Sequence, residues 1–121
     1  MITRKMRRQN KDLYWNTMIK ILVDICGYTQ NEALQHTKNA RRLSEAQFDT
    51  PAKRERWVYS LSCEYRASLF AIGPCKDNPV GAWCEFDDLR HEWIDRVRPE
   101  IDAVELELWG KDRLAVREVW Q

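Results

Sequence analysis

The sequence predicts an all-α fold: a compact single domain spanning 1–121, with four to five helices in a bundle-like or orthogonal arrangement around a long central helix at 51–72. Three observations carry this. Apolar residues recur at intervals of three and four in several segments. Helix start and stop signals flank those segments. Only four glycines and four prolines interrupt the 121 residues.

Residues 1–10, "MITRKMRRQN", read as a basic, frayed N-terminal arm. The first helix is expected over 11–26, where Tyr14, Met18, Ile21, Leu22 and Ile25 share a face and Gly27 supplies a stop. "TQNE" at 29–32 has the form of a capping box, with Thr29 and Glu32 serving each other's backbone amides. It starts a second helix running to about Glu45, whose apolar stripe is thin. "DTP" at 49–51 starts the third helix, since proline suits the first helical position. Val58, Leu61, Tyr65, Ser68, Leu69 and Ile72 then repeat at helical spacing, and Trp57, Cys63 and Phe70 widen the face.

The stretch "GPCKDNPVGAWCEFDD" at 73–88 breaks the helical pattern and reads as a turn-rich connection longer than most between bundle helices. A fourth helix begins at Asp87 or Asp88, and Pro99 ends or kinks it. Over "EIDAVELELWG" at 100–110, helix and strand patterns compete and helix is favoured; "KDRLAVREVWQ" at 111–121 reads as a short last helix or an extended tail.

Composition limits the function classes. With 44% hydrophobic and 32% charged residues, the chain has the profile of an ordered, soluble domain rather than a disordered one. No segment reaches the ~20 apolar residues of a membrane span, and no secretory leader is recognisable. A cytoplasmic protein is expected, in which cysteines are thiols rather than disulfides. Net charge is +1, but it is split. The cations concentrate in residues 1–66 and the carboxylates in 67–121, a layout that suits a polar partner or head-to-tail homo-oligomer formation.

Catalytic and metal motifs are weak. Cys63, Cys75, Cys84 and His91 lack the close pairs of a zinc site. "HEWID" at 91–95 has Asp95 where a zinc protease carries its second histidine, so an ordinary pair of His91 with Asp95 is expected. Cys26 and Cys63 read as small core residues. No catalytic residue, metal or other cofactor is called for, and the sequence favours a non-enzymatic role.

Two kinds of contact residue stand out. Arg4, Lys5, Arg7, Arg8, Lys11, Lys38, Arg41, Arg42, Lys53 and Arg54 are candidates for binding nucleic acid or an acidic partner. Trp83, Trp109 and Trp120 are candidate anchors for a protein partner, because tryptophan and arginine dominate interface hot spots. The expected function is binding to a protein or multi-subunit complex as accessory subunit, adaptor or inhibitor. The alternative is binding of DNA or RNA with little sequence preference through the basic N-terminal half. No membrane partner is expected.

Overall fold

Four residues at helical spacing, Tyr14, Met18, Ile21 and Leu22, are fully buried on one face of Lys11–Asp24, the first helix, α1. This computed structural model describes residues 7–8, 10–72 and 86–120, the last ten by their backbone alone. The described residues form six helices and no strand, against the four to five helices expected. After α1 the chain reverses at Gly27, whose φ of +80° only glycine adopts readily. There the Tyr28 N–H returns to the Leu22 carbonyl at 3.1 Å.

Helix α2, Gln30–Ala46, starts on the anticipated capping box. The Glu32 N–H donates to Thr29 Oγ1 at 3.2 Å, and the Thr29 N–H donates to Glu32 Oε1 at 3.2 Å. Its stripe is as narrow as the sequence implies: only Ala33 and Thr37 are buried. Helix α3, Pro51–Val58, starts where Thr50 Oγ1 accepts from the Lys53 N–H at 3.2 Å.

The long helix expected over 51–72 is corrected here. It is two helices, α3 and α4 (Cys63–Ala71), joined by a corner at 59–62. The corner forms because side chains take the backbone groups that a continuous helix would pair internally. Ser62 Oγ accepts from the Tyr65 N–H at 3.2 Å and caps α4. On the other side, five consecutive carbonyls find side-chain donors. Ser60 Oγ donates to Trp57 O at 2.7 Å, and Arg66 Nη2 to Val58 O at 2.6 Å. Arg7 Nε donates to Tyr59 O at 3.0 Å and its Nη2 to Ser60 O at 3.4 Å. The Tyr14 hydroxyl donates to Leu61 O at 2.9 Å. Arg7, expected in a frayed arm, is thus tied across to the corner.

Helices α5, Asp87–Arg96, and α6, Arg98–Trp120, complete the described chain. Pro99 lies in the first turn of α6, where its missing N–H costs no helical bond. The 98–120 region is therefore helical rather than extended, with a kink at Gly110, whose φ of +54° and ψ of −136° interrupt the helical backbone. The pair expected between His91 and Asp95 forms the other way along the helix: His91 Nε2 lies 3.5 Å from Asp87.

The central element is α1, not 51–72. It packs against α2, α4 and α6, while α3 rests on α2, and α5 joins α4 and α6. One apolar cluster runs through it, adding Val58, Tyr59, Ala67, Trp93, Ile101 and Val104 to the α1 face. Polar pins fix the contacts. Trp109 Nε1 donates to Thr17 Oγ1 at 3.0 Å, and that hydroxyl donates to Leu13 O at 2.7 Å. Arg90, fully buried, donates from Nε to Ile72 O at 3.3 Å and holds α5 to the end of α4. Arg98 approaches Glu64 at 3.6 Å, and Lys20 approaches Glu107 at 3.5 Å. These partly exposed pairs add about 0–1 kcal/mol each, so burial dominates the assembly. No helix of the described residues is long and apolar enough to cross a membrane.

Replacing Arg66 with Met keeps the side-chain volume but leaves Val58 O and Tyr14 Oη each short of a donor. Urea unfolding is expected to show a loss of about 2–4 kcal/mol, whereas Ser62→Ala, which removes one cap, loses about 1 kcal/mol. An Arg66→Met cost below that of Ser62→Ala would contradict the assigned role of the guanidinium.

Candidate binding cleft at the α3–α4 corner

The corner carries a polar centre. Arg66, on α4, is 8% exposed. Besides Val58 O, it donates from Nε to Tyr14 Oη at 2.8 Å and from Nη1 to Ser44 Oγ at 3.0 Å. Its guanidinium also lies 5.3 Å from the centre of the Trp15 ring. One cation therefore joins α1, α2, the end of α3 and α4. Around it, Tyr14, Trp15 and Tyr59 meet edge to face, with centroids 4.9–6.2 Å apart, a geometry that suits aromatic quadrupoles. Trp15 Nε1 donates to the Tyr59 hydroxyl at 3.0 Å.

A cleft of about 210 Å³ opens beside this centre. Arg66, Ser44, Gln47 and Ser60 supply its polar lining, and Phe48, Trp57, Val58 and Leu61 its apolar walls. Trp57 is 51% exposed, although its spacing places it with the apolar face of a continuous helix. Because α3 stops at Val58, that face no longer continues onto the core, and Trp57 stays outside. The Arg56 guanidinium stacks over its ring at 5.0 Å. A second groove, of about 340 Å³, lies between α1 and α2, with Asp12 and Asn16 facing Lys38 and Arg41 across Trp15, Ile19 and Leu34.

Five of the eight described basic candidates are engaged within the fold. Arg4 and Lys5 lie outside the described residues. Arg7 serves the corner carbonyls. Lys11 pairs with Glu55 at 3.1 Å, Arg41 with Asp12 at 3.1 Å and Glu45 at 3.2 Å, and Lys53 with Asp49 at 3.1 Å. Arg54 caps the end of α2 through Glu45 O at 3.1 Å and Phe48 O at 3.0 Å. Arg8, Lys38 and Arg42 are exposed, with no ion pair among the described residues. Lys38 and Arg41 share the groove between α1 and α2.

The aromatic candidates are corrected in one case. Trp109, expected as a partner anchor, is 5% exposed and packs with Leu13 and Leu108. Trp83, the side chain of Trp120, Cys75 and Cys84 lie outside the described residues. The residues overlooked in the sequence are Trp57 and Arg66. Their signals were present: a Trp beside Arg56, and an arginine as the one charged residue of the mostly apolar Tyr65–Ile72 stretch.

The described thiols are poor nucleophiles. Burial pushes the Cys26 thiol up to about 11. Cys63, fully enclosed and donating to Tyr14 O at 3.3 Å, is raised well above its ordinary value, first by burial and then by Glu64. His36 is packed with Tyr28 and Phe70, their ring centroids 5.3 and 5.1 Å away. Among the described residues no group of three or more His, Cys, Asp or Glu side chains gathers as metal ligands.

Burial also raises the phenols of Tyr14, Tyr59 and Tyr65. Each of these thiols and phenols holds its proton more tightly folded than unfolded. Their contribution is full below the ordinary thiol value of 9.0 and is lost as pH rises through the folded values, about 11 for Cys26. Urea midpoints should therefore stay level from neutral pH to about 9 and fall steadily towards 11; a midpoint unchanged over that interval contradicts the burial of these groups. No family model, curated protein or solved structure matches this chain.

Proposed function

We propose that this is a non-enzymatic protein that binds a larger macromolecular assembly, as accessory subunit, adaptor or inhibitor, and docks through the α3–α4 corner. The observation that carries the reading is Trp57: a half-exposed tryptophan stacked with Arg56 on the rim of the Arg66 cleft. Tryptophan and arginine are the residues that most often supply interface hot spots, and they do so beside pockets that exclude water. Burying a half-exposed indole on a partner would recover hydrophobic free energy that folding leaves unused.

A second reading, binding of DNA or RNA with little sequence preference, draws on the exposed cations Arg8, Lys38 and Arg42. It is the weaker one, because five of the eight described basic candidates already serve intramolecular pairs or carbonyls. Nucleic-acid affinity scales with the phosphates neutralised, so cations committed within the fold contribute less.

Affinity capture from the native cell distinguishes the two. Trp57→Ala should lower the affinity for the recovered partner by roughly 30-fold, the equivalent of a 2 kcal/mol hot spot, while changing folding stability by no more than about 1 kcal/mol. Equal affinity for the wild-type and Trp57→Ala chains would remove the corner as the docking face. Under the second reading, neutralising Arg8, Lys38 and Arg42 should flatten the salt slope of oligonucleotide binding by about 2. The absence of oligonucleotide binding at low salt would remove it.

A further inference from the structure

Arg66 is a cation more than nine-tenths buried whose hydrogen-bond partners, a phenol, a serine hydroxyl and a backbone carbonyl, are all uncharged. Among the described residues no carboxylate lies within ion-pair distance of it. A buried charge without a counter-charge is unfavourable, and a carboxylate is the group that relieves it most. The three bonds occupy three of the five N–H donors of a guanidinium, leaving capacity for an anion. The bond to Ser44 is the part-buried one, and Ser44 and Arg66 both line the cleft.

From this we infer that the cleft is a carboxylate-recognition site. It takes an acidic side chain from a peptide segment of a partner protein, with a neighbouring apolar side chain of that segment resting on Trp57. Charge complementarity argues for this occupant. On α2 and α3, Arg41 and Lys53 pair with carboxylates and Arg54 with carbonyls, while Lys38, Arg42 and Arg56 stay exposed with no ion pair among the described residues and add positive potential for an incoming carboxylate. At about 210 Å³ the cleft has room for a single side chain, and its walls of Phe48, Trp57, Val58 and Leu61 are apolar. That shape suits one carboxylate delivered beside apolar surface better than the row of solvated phosphates in a nucleic acid. The inference rests on the docking face proposed above and adds the chemistry that the face selects.

The test is a titration of isotope-labelled, full-length wild-type protein with N-acetylglutamate amide and with its neutral isostere, N-acetylglutamine amide. Resonances of Arg66 Nε–H, Ser60 and the Trp57 indole report binding, so no variant that endangers the fold is needed. The glutamate probe should shift all three saturably, with Kd of about 1 mM for a ligand this small. The glutamine probe should bind roughly ten-fold more weakly, since it loses the charge-assisted bond. No saturable shift, or equal shifts from both probes, overturns the inference. So does an oligonucleotide that moves the same resonances at lower concentration, or a shift that depends on protein concentration alone, which would indicate a second copy. If Trp57→Ala weakens partner capture while the glutamate probe leaves Arg66 unmoved, the docking face stands and its carboxylate selectivity falls.

Discussion

Five consecutive carbonyls, from Trp57 to Leu61, lose their regular helical partners at the α3–α4 corner, and each is met by a side chain. An unmet buried carbonyl costs about 1–3 kcal/mol, so a corner left unserved would revert to the helix that its own spacing encodes. The donors come from both directions along the chain: Arg7 and Tyr14 from before the corner, Arg66 from after it. The break is thus a tertiary feature, made only when α1 and α4 are in place. Arg66 is its keystone because the same guanidinium also reaches Ser44 on α2 and covers the Trp15 ring. A lysine could not do this, since one ammonium lacks the planar, five-donor fork.

The corner has consequences outward as well as inward. Had 51–72 stayed helical, Trp57 would have continued the stripe of Val58 and Leu61 onto the core. Ending α3 at Val58 instead puts Trp57 on the rim of a cleft, with Arg66 in its lining. The device that joins four helices therefore also places a tryptophan, an arginine pair and two serine hydroxyls around one opening. The proposed docking and carboxylate selection follow from that placement. They ask nothing further of α5, which joins α4 and α6, or of α6, which packs on α1.

Much of the architecture was legible in the sequence, for local reasons. The capping box at Thr29 and Glu32 and the Thr50–Pro51 start are patterns of adjacent residues, and both occur as read. The α1 face follows from period alone. The corner was not legible, because the apolar period runs unbroken from Val58 through Leu61 to Tyr65 while the donors to Tyr59, Ser60 and Leu61 lie 47 to 53 residues away. Ser60 and Ser62 were the local hint, since serine competes for backbone groups. The same distance effect hid the site: Trp57 reads as core in a continuous helix, and Trp109 reads as exposed until Thr17, 92 residues away, receives its N–H. The basic residues were visible as a class, but nothing local tells which of them the fold itself employs.

Every feature of the docking face requires that the corner be present in solution, and backbone Cα chemical shifts across 51–72 test that most directly. Helical secondary shifts should cover 51–58 and 63–71 and collapse over 59–62, with the Arg66 Nε–H exchanging slowly with solvent. An uninterrupted helical run from 51 to 71, with a freely exchanging Arg66 side chain, would contradict it.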